Sequence, residues 1–204
     1  MNNIQFITHE NQRFGYVEGA EMALRGACKW VQLRMKDATD NEFLSVGRKV
    51  STLCRNYNAI FLLDDRVHLV AELGADGVHL GKNDMPISEA RCMLGSEKII
   101  GGTANTFTDV QRLATEGVNY IGCGPFRYTK TKCNLAPILG LEGYRDILKQ
   151  MKKANICLPL IAIGGIVSTD IAALITIGVS GIAVSGAILE AVNPINEMTK
   201  LIEI

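Results

Sequence analysis

Short apolar runs with β character alternate with amphipathic helical patterns along this 204-residue chain, eight times over. The strand runs fall at 4–8, 30–35, 60–63, 77–80, 98–102, 120–124, 158–164 and 181–185. The helical patterns fall near 17–26, 41–56, 66–73, 87–94, 107–116, 141–152, 168–177 and 194–203. Most strands are continuous apolar stretches such as IFLL, LPLIAIG and GIAVSG, which mark strands covered on both faces. Repeated strand–helix units with short connections imply a parallel sheet. Eight of them without a linker or low-complexity break favour closure into a barrel; an open doubly wound sheet would need no eighth strand. The expected fold is α/β, a single (βα)8 TIM barrel, with residues 1–204 as one domain.

Composition narrows the function. Hydrophobic residues make up 48% of the chain, enough for a core without disulfide or metal staples. Lys+Arg and Asp+Glu balance at 21 each, so no general attraction to nucleic acid or anionic lipid is expected. Any anion site must be a local cluster. No run approaches the roughly 18 apolar residues of a spanning helix, and the N-terminal segment lacks a secretory pattern. The six cysteines include no C-x-x-C pair and read as reduced thiols, which points to a cytoplasmic protein.

In a barrel of this kind reactive residues lie at the C-terminal ends of strands and in the loops beyond. Around 30–36, alternation puts Val31, Leu33 and Met35 on one face and Gln32, Arg34 and Lys36 on the other. With the apolar set against the helices, an amide and two cations enter the mouth, and buried like charges call for an anion. An open sheet would instead solvate that polar face. Asp64 and Asp65 end the third strand, and His79-Leu80-Gly81-Lys82-Asn83-Asp84 runs on from the fourth. Carboxylates at adjacent strand ends can share a hard cation such as Mg2+, although Asp65 would serve equally as a helix N-cap.

The sixth strand leads into Gly122-Cys123-Gly124-Pro125-Phe126-Arg127-Tyr128-Thr129-Lys130-Thr131-Lys132, whose hydroxyls and ammonium groups suit oxyanions or simply a solvated loop. Gly164-Gly165 and Ser185-Gly186 end the last two strands, the usual phosphate site of this fold. His79, on a buried strand, reads as a packed core residue.

Taken in order, VQLRMKD at 31–37, LLDDRVHLVAELGADGVHLGKNDMP at 62–86, YIGCGPFRYTKTK at 120–132, PLIAIGGI at 159–166 and GIAVSGAIL at 181–189 resemble the thiamine phosphate synthase family over nearly the whole chain. The resemblance implies coupling of a pyrimidine diphosphate to a thiazole phosphate, with Mg2+ as cofactor and small molecules as partners. By position, Gln32, Leu33, Arg34, Met35, Lys36 and Asp64 would hold the pyrimidine diphosphate, Thr103 would touch its ring, and Lys132 its diphosphate. Asp65 and Asp84 would ligate the metal. Thr129, Lys130, Thr131, Gly165, Val184 and Ser185 would receive the thiazole phosphate. Arg34, Lys36 and Lys132 would carry the catalytic charge. One departure stands out: Asp64 sits where the family usually has Asn, so its added charge would either tighten metal binding or repel the diphosphate. Two other functions share such a barrel, a thiazole tautomerase-like paralogue and a non-catalytic phosphate-ligand sensor. Neither has a use for the full set of Arg34, Lys36, Asp65, Asp84 and Lys132.

Overall fold

A computed structural model describes residues 3–128 and 136–204. Among them, eight parallel strands close into a barrel in sequence order: β1 (Asn3–Ile7), β2 (Trp30–Leu33), β3 (Ile60–Asp64), β4 (Gly77–Leu80), β5 (Ile99–Ala104), β6 (Tyr120–Cys123), β7 (Leu160–Ile163) and β8 (Gly181–Val184). Closure is made by β8 against β1, with Phe6 opposite Val184. The surrounding helices are α1 (Tyr16–Arg25), α2 (Asp40–Asn56), α3 (Val70–Leu73), α4 (Ile87–Leu94), α5 (Phe107–Glu116), α6 (Gly140–Lys153), α7 (Ser168–Thr176), α8 (Gly186–Leu189) and α9 (Pro194–Glu203). None of the described helices is long and apolar enough to cross a membrane.

Local chemistry sets the helix starts. Thr39 caps α2 and Thr106 caps α5, each with an acid three residues on that returns a bond to the cap backbone. Left-handed Gly74 and Gly117 end α3 and α5, a conformation that glycine adopts without a Cβ penalty.

The core has two layers. Val31, Leu33, Leu63, Val78, Leu80, Ile121 and Ile182 pack outward against the helices. Ile7, Leu62, Tyr120, Ile161 and Ala183 fill the inside of the barrel, with Trp30, Ile99 and Ile163 against them. The alternation on β2 therefore has the expected sense: apolar residues turn to the helices and Gln32, 2% exposed, turns inward.

Three departures from the pattern of the sequence bear on the site. β2 stops at Leu33, so Arg34, Met35 and Lys36 belong to the following loop; Arg34 N–H is taken by the Thr8 hydroxyl at 2.9 Å rather than by a neighbouring strand. The segment after β3 opens as a tight 3-10 turn, Val67–Leu69, before α3, because Asp65 takes a left-handed conformation at φ +59° and reverses the chain at once. An additional short helix, α8, follows β8 directly and has too few residues for an amphipathic period to reveal it.

Candidate active site

The loops after β2, β3 and β4 bring one ammonium among three carboxylates. Lys36 Nζ lies 2.7 Å from Asp65 Oδ2, 3.0 Å from Asp64 Oδ2 and 3.8 Å from Asp84 Oδ2. Arg34 Nε lies 3.7 Å from Asp64, and Arg66 Nη1 donates to Asp65 at 2.6 Å. Gln32 Nε2 donates to Asp64 Oδ1 at 2.8 Å, and its own Oε1 is buried without a partner among the described residues. A carboxylate only accepts, so Asp64 fixes which end of the Gln32 amide faces it.

The local backbone explains the convergence. The left-handed turn at Asp65, tolerated by a short polar side chain, sends its carboxylate back toward Lys36. Asp84 is held by the Gly81 N–H, which donates to Oδ2 at 2.6 Å. Asp65 does not cap a helix.

Three cations, Lys36, Arg34 and Arg66, face three carboxylates, and burial sets their protonation. Burial pushes the Asp65 carboxyl above its ordinary value; the Lys36 hydrogen bond opposes that, and the neighbouring Asp64 charge adds to it. Burial would lower Lys36, but the charges and hydrogen bonds of Asp64 and Asp65 outweigh it, and the net shift is upward. Lys36, Arg34 and Arg66 pair with Asp64 and Asp65, and Asp84 has Lys36 at 3.8 Å; three carboxylates at a strand-end cleft lose hydration for those pairs, which makes the cluster a weak source of stability. Among the described residues, no group of three or more His, Cys, Asp or Glu is arranged to enclose a metal. Two carboxylates with water and phosphate oxygens are, however, what Mg2+ usually takes, so Asp65 and Asp84 fit it.

Beside this cluster, with Arg34 common to both, opens a cavity of about 480 Å3. Thr8, His79, Thr103, Asn105, Gly165 and Ser185 are among its walls. Ser185 Oγ is buried and has no hydrogen-bond partner among the described residues, so a ligand oxygen can take it. Gly164 and Gly165 have φ of +97° and +68°, and a Cβ on Gly165 would lie 2.5 Å from Arg127 Cγ. Arg127 spans this loop, donating to Gly165 O at 3.0 Å and to both Asp170 oxygens at 2.7 Å.

The residues singled out in the sequence thus divide into groups. Gln32, Arg34, Lys36, Asp64, Asp65 and Asp84 meet in the cluster. Thr103, Gly165, Val184 and Ser185 line the cavity. Leu33 and Met35 turn their side chains into the layer beneath the helices, leaving only backbone for the mouth. Thr129, Lys130, Thr131 and Lys132 lie outside the described residues. His79 is buried and hydrogen-bonded, as its strand position implied, and what the sequence reading left out is that it also lines the cavity. It faces the cavity, bonded to Tyr120 and Thr103, and its inward parity on β4, opposite to Val78 and Leu80, was the available signal.

Comparison with known proteins places the chain among relatives of this fold. The family model described as thiamine monophosphate synthase matches residues 4–188. A thiamine-phosphate synthase of Bacteroides fragilis (strain YCH46) is 54% identical over 204 residues, covering 100% of each chain. One of Bacteroides thetaiotaomicron is 55% identical over 202 residues, covering 99% of this chain and 97% of its own. Among solved structures, thiamine phosphate pyrophosphorylase from Pyrococcus furiosus superposes with a TM-score of 0.87 at 31% identity, covering 98% of this chain and 94% of its own. A 3-hexulose-6-phosphate synthase at 17% identity and a TM-score of 0.70 shares the fold alone. With its cation–carboxylate cluster placed at the strand ends of such a barrel, the chain belongs to the thiamine monophosphate synthase family.

Proposed function

We propose that the chain joins 4-amino-2-methyl-5-(diphosphooxymethyl)pyrimidine to a thiazole phosphate, giving thiamine phosphate and pyrophosphate. The observation that carries this reading is Lys36 Nζ within 4 Å of Asp64, Asp65 and Asp84, next to Arg34 at the cavity wall. A polyanionic leaving group is the ligand that such a mixed cluster accommodates: its oxygens draw the cations, and the released carboxylates favour Mg2+. Asp65 and Asp84 would hold the metal, which when bound would neutralise charge on the diphosphate.

The chemistry is substitution at a ring-activated methylene. The bond from that carbon to the diphosphate oxygen breaks, and its electron pair leaves with pyrophosphate. Electron donation from the aminopyrimidine supports the cationic carbon until the thiazole nitrogen supplies the pair for the new C–N bond. Arg34 and Lys36 stabilise the departing charge, joined by Lys132 as carried over by position. Gly165, Val184 and Ser185, with Thr129, Lys130 and Thr131 by position, receive the thiazole phosphate and set the two rings for attack. Leu33 and Met35 contribute backbone at most. No general base is required. Free cysteines at Cys28, Cys54, Cys92, Cys123 and Cys157 are in keeping with a cytoplasmic setting.

Pyrophosphate release, followed with each substrate singly and with both, with and without Mg2+, tests the reading. Release that needs both substrates and the metal supports it. Aromatisation of a thiazole tautomer without release would make the chain tautomerase-like, and binding without turnover would make it a sensor.

A further inference from the structure

Four side chains from four strands form one hydrogen-bonded line that ends in the cavity. Gln5 Nε2 on β1 donates to the Tyr120 hydroxyl on β6 at 3.2 Å. Tyr120 Oη lies 2.9 Å from His79 Nδ1 on β4, and His79 Nε2 lies 2.9 Å from Thr103 Oγ1 on β5. Gln5, Tyr120 and His79 are buried, and Thr103 forms part of the cavity wall.

The barrel is shaped around this line. A Cβ on Gly101 would lie 2.2 Å from the Tyr120 ring, and one on Gly122 would lie 2.8 Å from His79 Cε1. Both glycines sit across the sheet from the residues concerned: Gly101 pairs with Tyr120 and with His79, and Gly122 pairs with Thr103. Trp30 packs edge-on beneath Tyr120, with ring centroids 4.9 Å apart. No side chain other than glycine at those two positions leaves the rings where they stand.

Proton accounting gives the line a direction. The Gln5 amide nitrogen donates to the phenol oxygen and cannot accept. Burial raises the Tyr120 hydroxyl well above its usual range, so it keeps its proton. A buried proton without an acceptor is costly, and the neighbour able to take it is His79 Nδ1. With a lone pair at Nδ1, the imidazole carries its hydrogen on Nε2 and donates it to Thr103 Oγ1. The Thr103 hydroxyl, already an acceptor from His79, has its own hydrogen left to give.

We infer that the line Gln5–Tyr120–His79–Thr103 presents the Thr103 hydroxyl to the cavity as a donor, making His79 a positioning residue that selects a ligand atom with a free lone pair. An aromatic ring nitrogen is such an atom. On the function proposed above, it is a ring nitrogen of the aminopyrimidine. A ligand N–H at the same place would leave the threonine hydrogen without an acceptor.

Two measurements on the full chain test this, and the first requires no substrate. Long-range proton–nitrogen correlation of the labelled protein, with His79→Gln assigning the signals, reads the tautomer directly. The line requires hydrogen on Nε2 and a bare Nδ1 in the wild type, with loss of that single state in Tyr120→Phe. Hydrogen on Nδ1 in the wild type overturns the inference, whatever the enzyme does.

The second measurement is kinetic, on variants whose circular dichroism matches the wild type. Thr103→Val and His79→Leu should raise KM for the pyrimidine diphosphate by about tenfold, the scale of one lost hydrogen bond. KM for the thiazole phosphate should not move. Thr103→Ser keeps the donor, and His79→Gln keeps an acceptor toward Tyr120 with a donor toward Thr103, so both should recover most of the loss. Equal losses in His79→Leu and His79→Gln would reduce His79 to packing and sink the inference. The Nε2–H tautomer in a protein that releases no pyrophosphate would instead uphold the line and reject the proposed reaction.

Discussion

Lys36 Nζ stands 2.7 Å from Asp65 Oδ2, so the cation proposed for the leaving group and a carboxylate proposed for the metal are each other's partners. On the proposed function, binding a diphosphate would exchange these partners. The ammonium would turn to phosphate, and the carboxylate it releases would be left for a metal.

Lys36→Ala should then show two effects. Turnover should fall by about 10²–10³, the usual cost of removing one donor from developing negative charge, with the loss in kcat. Without Mg2+ the variant should also melt below the wild type, since Asp64, Asp65 and Asp84 lose their shared counterion, and added Mg2+ should raise its Tm more than it raises that of the wild type. Melting curves across a Mg2+ series check this. An equal response in both proteins would separate Lys36 from the metal seat.

Asp84→Asn should weaken activity and Mg2+ dependence together, shifting the Mg2+ concentration for half-maximal rate upward. Turnover unchanged at limiting Mg2+ would remove Asp84 from the metal site.

Asp64→Asn retains a side-chain oxygen for Gln32 while removing the charge that holds Lys36 at 3.0 Å and Arg34 at 3.7 Å. The freed cations should bind the diphosphate as well or better, leaving KM for the pyrimidine substrate unchanged or several-fold lower, on the scale of one screened ion pair. A large loss of rate would make the carboxylate a required ligand.

Gly165→Ala places a Cβ at a φ of +68°, 2.5 Å from Arg127 Cγ. Steady-state kinetics should show a raised KM for the thiazole phosphate with the pyrimidine KM unchanged, and left-handed strain of about 1–2 kcal/mol should appear in urea melts.

Asp109 closes the α5 cap, accepting from the backbone N–H groups of Asn105 and Thr106 at 2.9 Å and pairing with Lys82 at 2.7 Å. Burial alone would raise its pKa, but these bonds outweigh burial and the net shift is downward from 3.8. A carboxyl depressed in the folded state stabilises fully above its unfolded value, and that contribution is lost as pH falls through the folded one. Asp109→Asn should therefore cost about 1 kcal/mol at pH 7. In urea melts the gap to the wild type should narrow steadily below the ordinary carboxylate range.

The barrel was legible because most strand runs are apolar and most helix patterns have a long enough period to count. The helices 87–94, 107–116 and 194–203 fall where their patterns place them. Boundaries were less legible where side chains replace ladder bonds, as Thr8 does for Arg34, or where a left-handed residue such as Asp65 turns the chain. The cation–carboxylate cluster was readable from charges at adjacent strand ends. The line from Gln5 to Thr103 was not, because its members are far apart in sequence, Gln5 and Tyr120 by 115 residues, and only the register of a closed sheet brings them together.

Closure of β8 onto β1 also bears on how the chain is made. A ribosome delivers β2 to β4, and with them the whole cation–carboxylate cluster, well before β7 and β8 emerge. Until then the edge of β1 has no strand on one side, an open invitation to wrong pairing or to a chaperone. The loops proposed for the thiazole phosphate come from the strands synthesised last. The two halves of the proposed site therefore come together only when β8 shuts the ring onto β1.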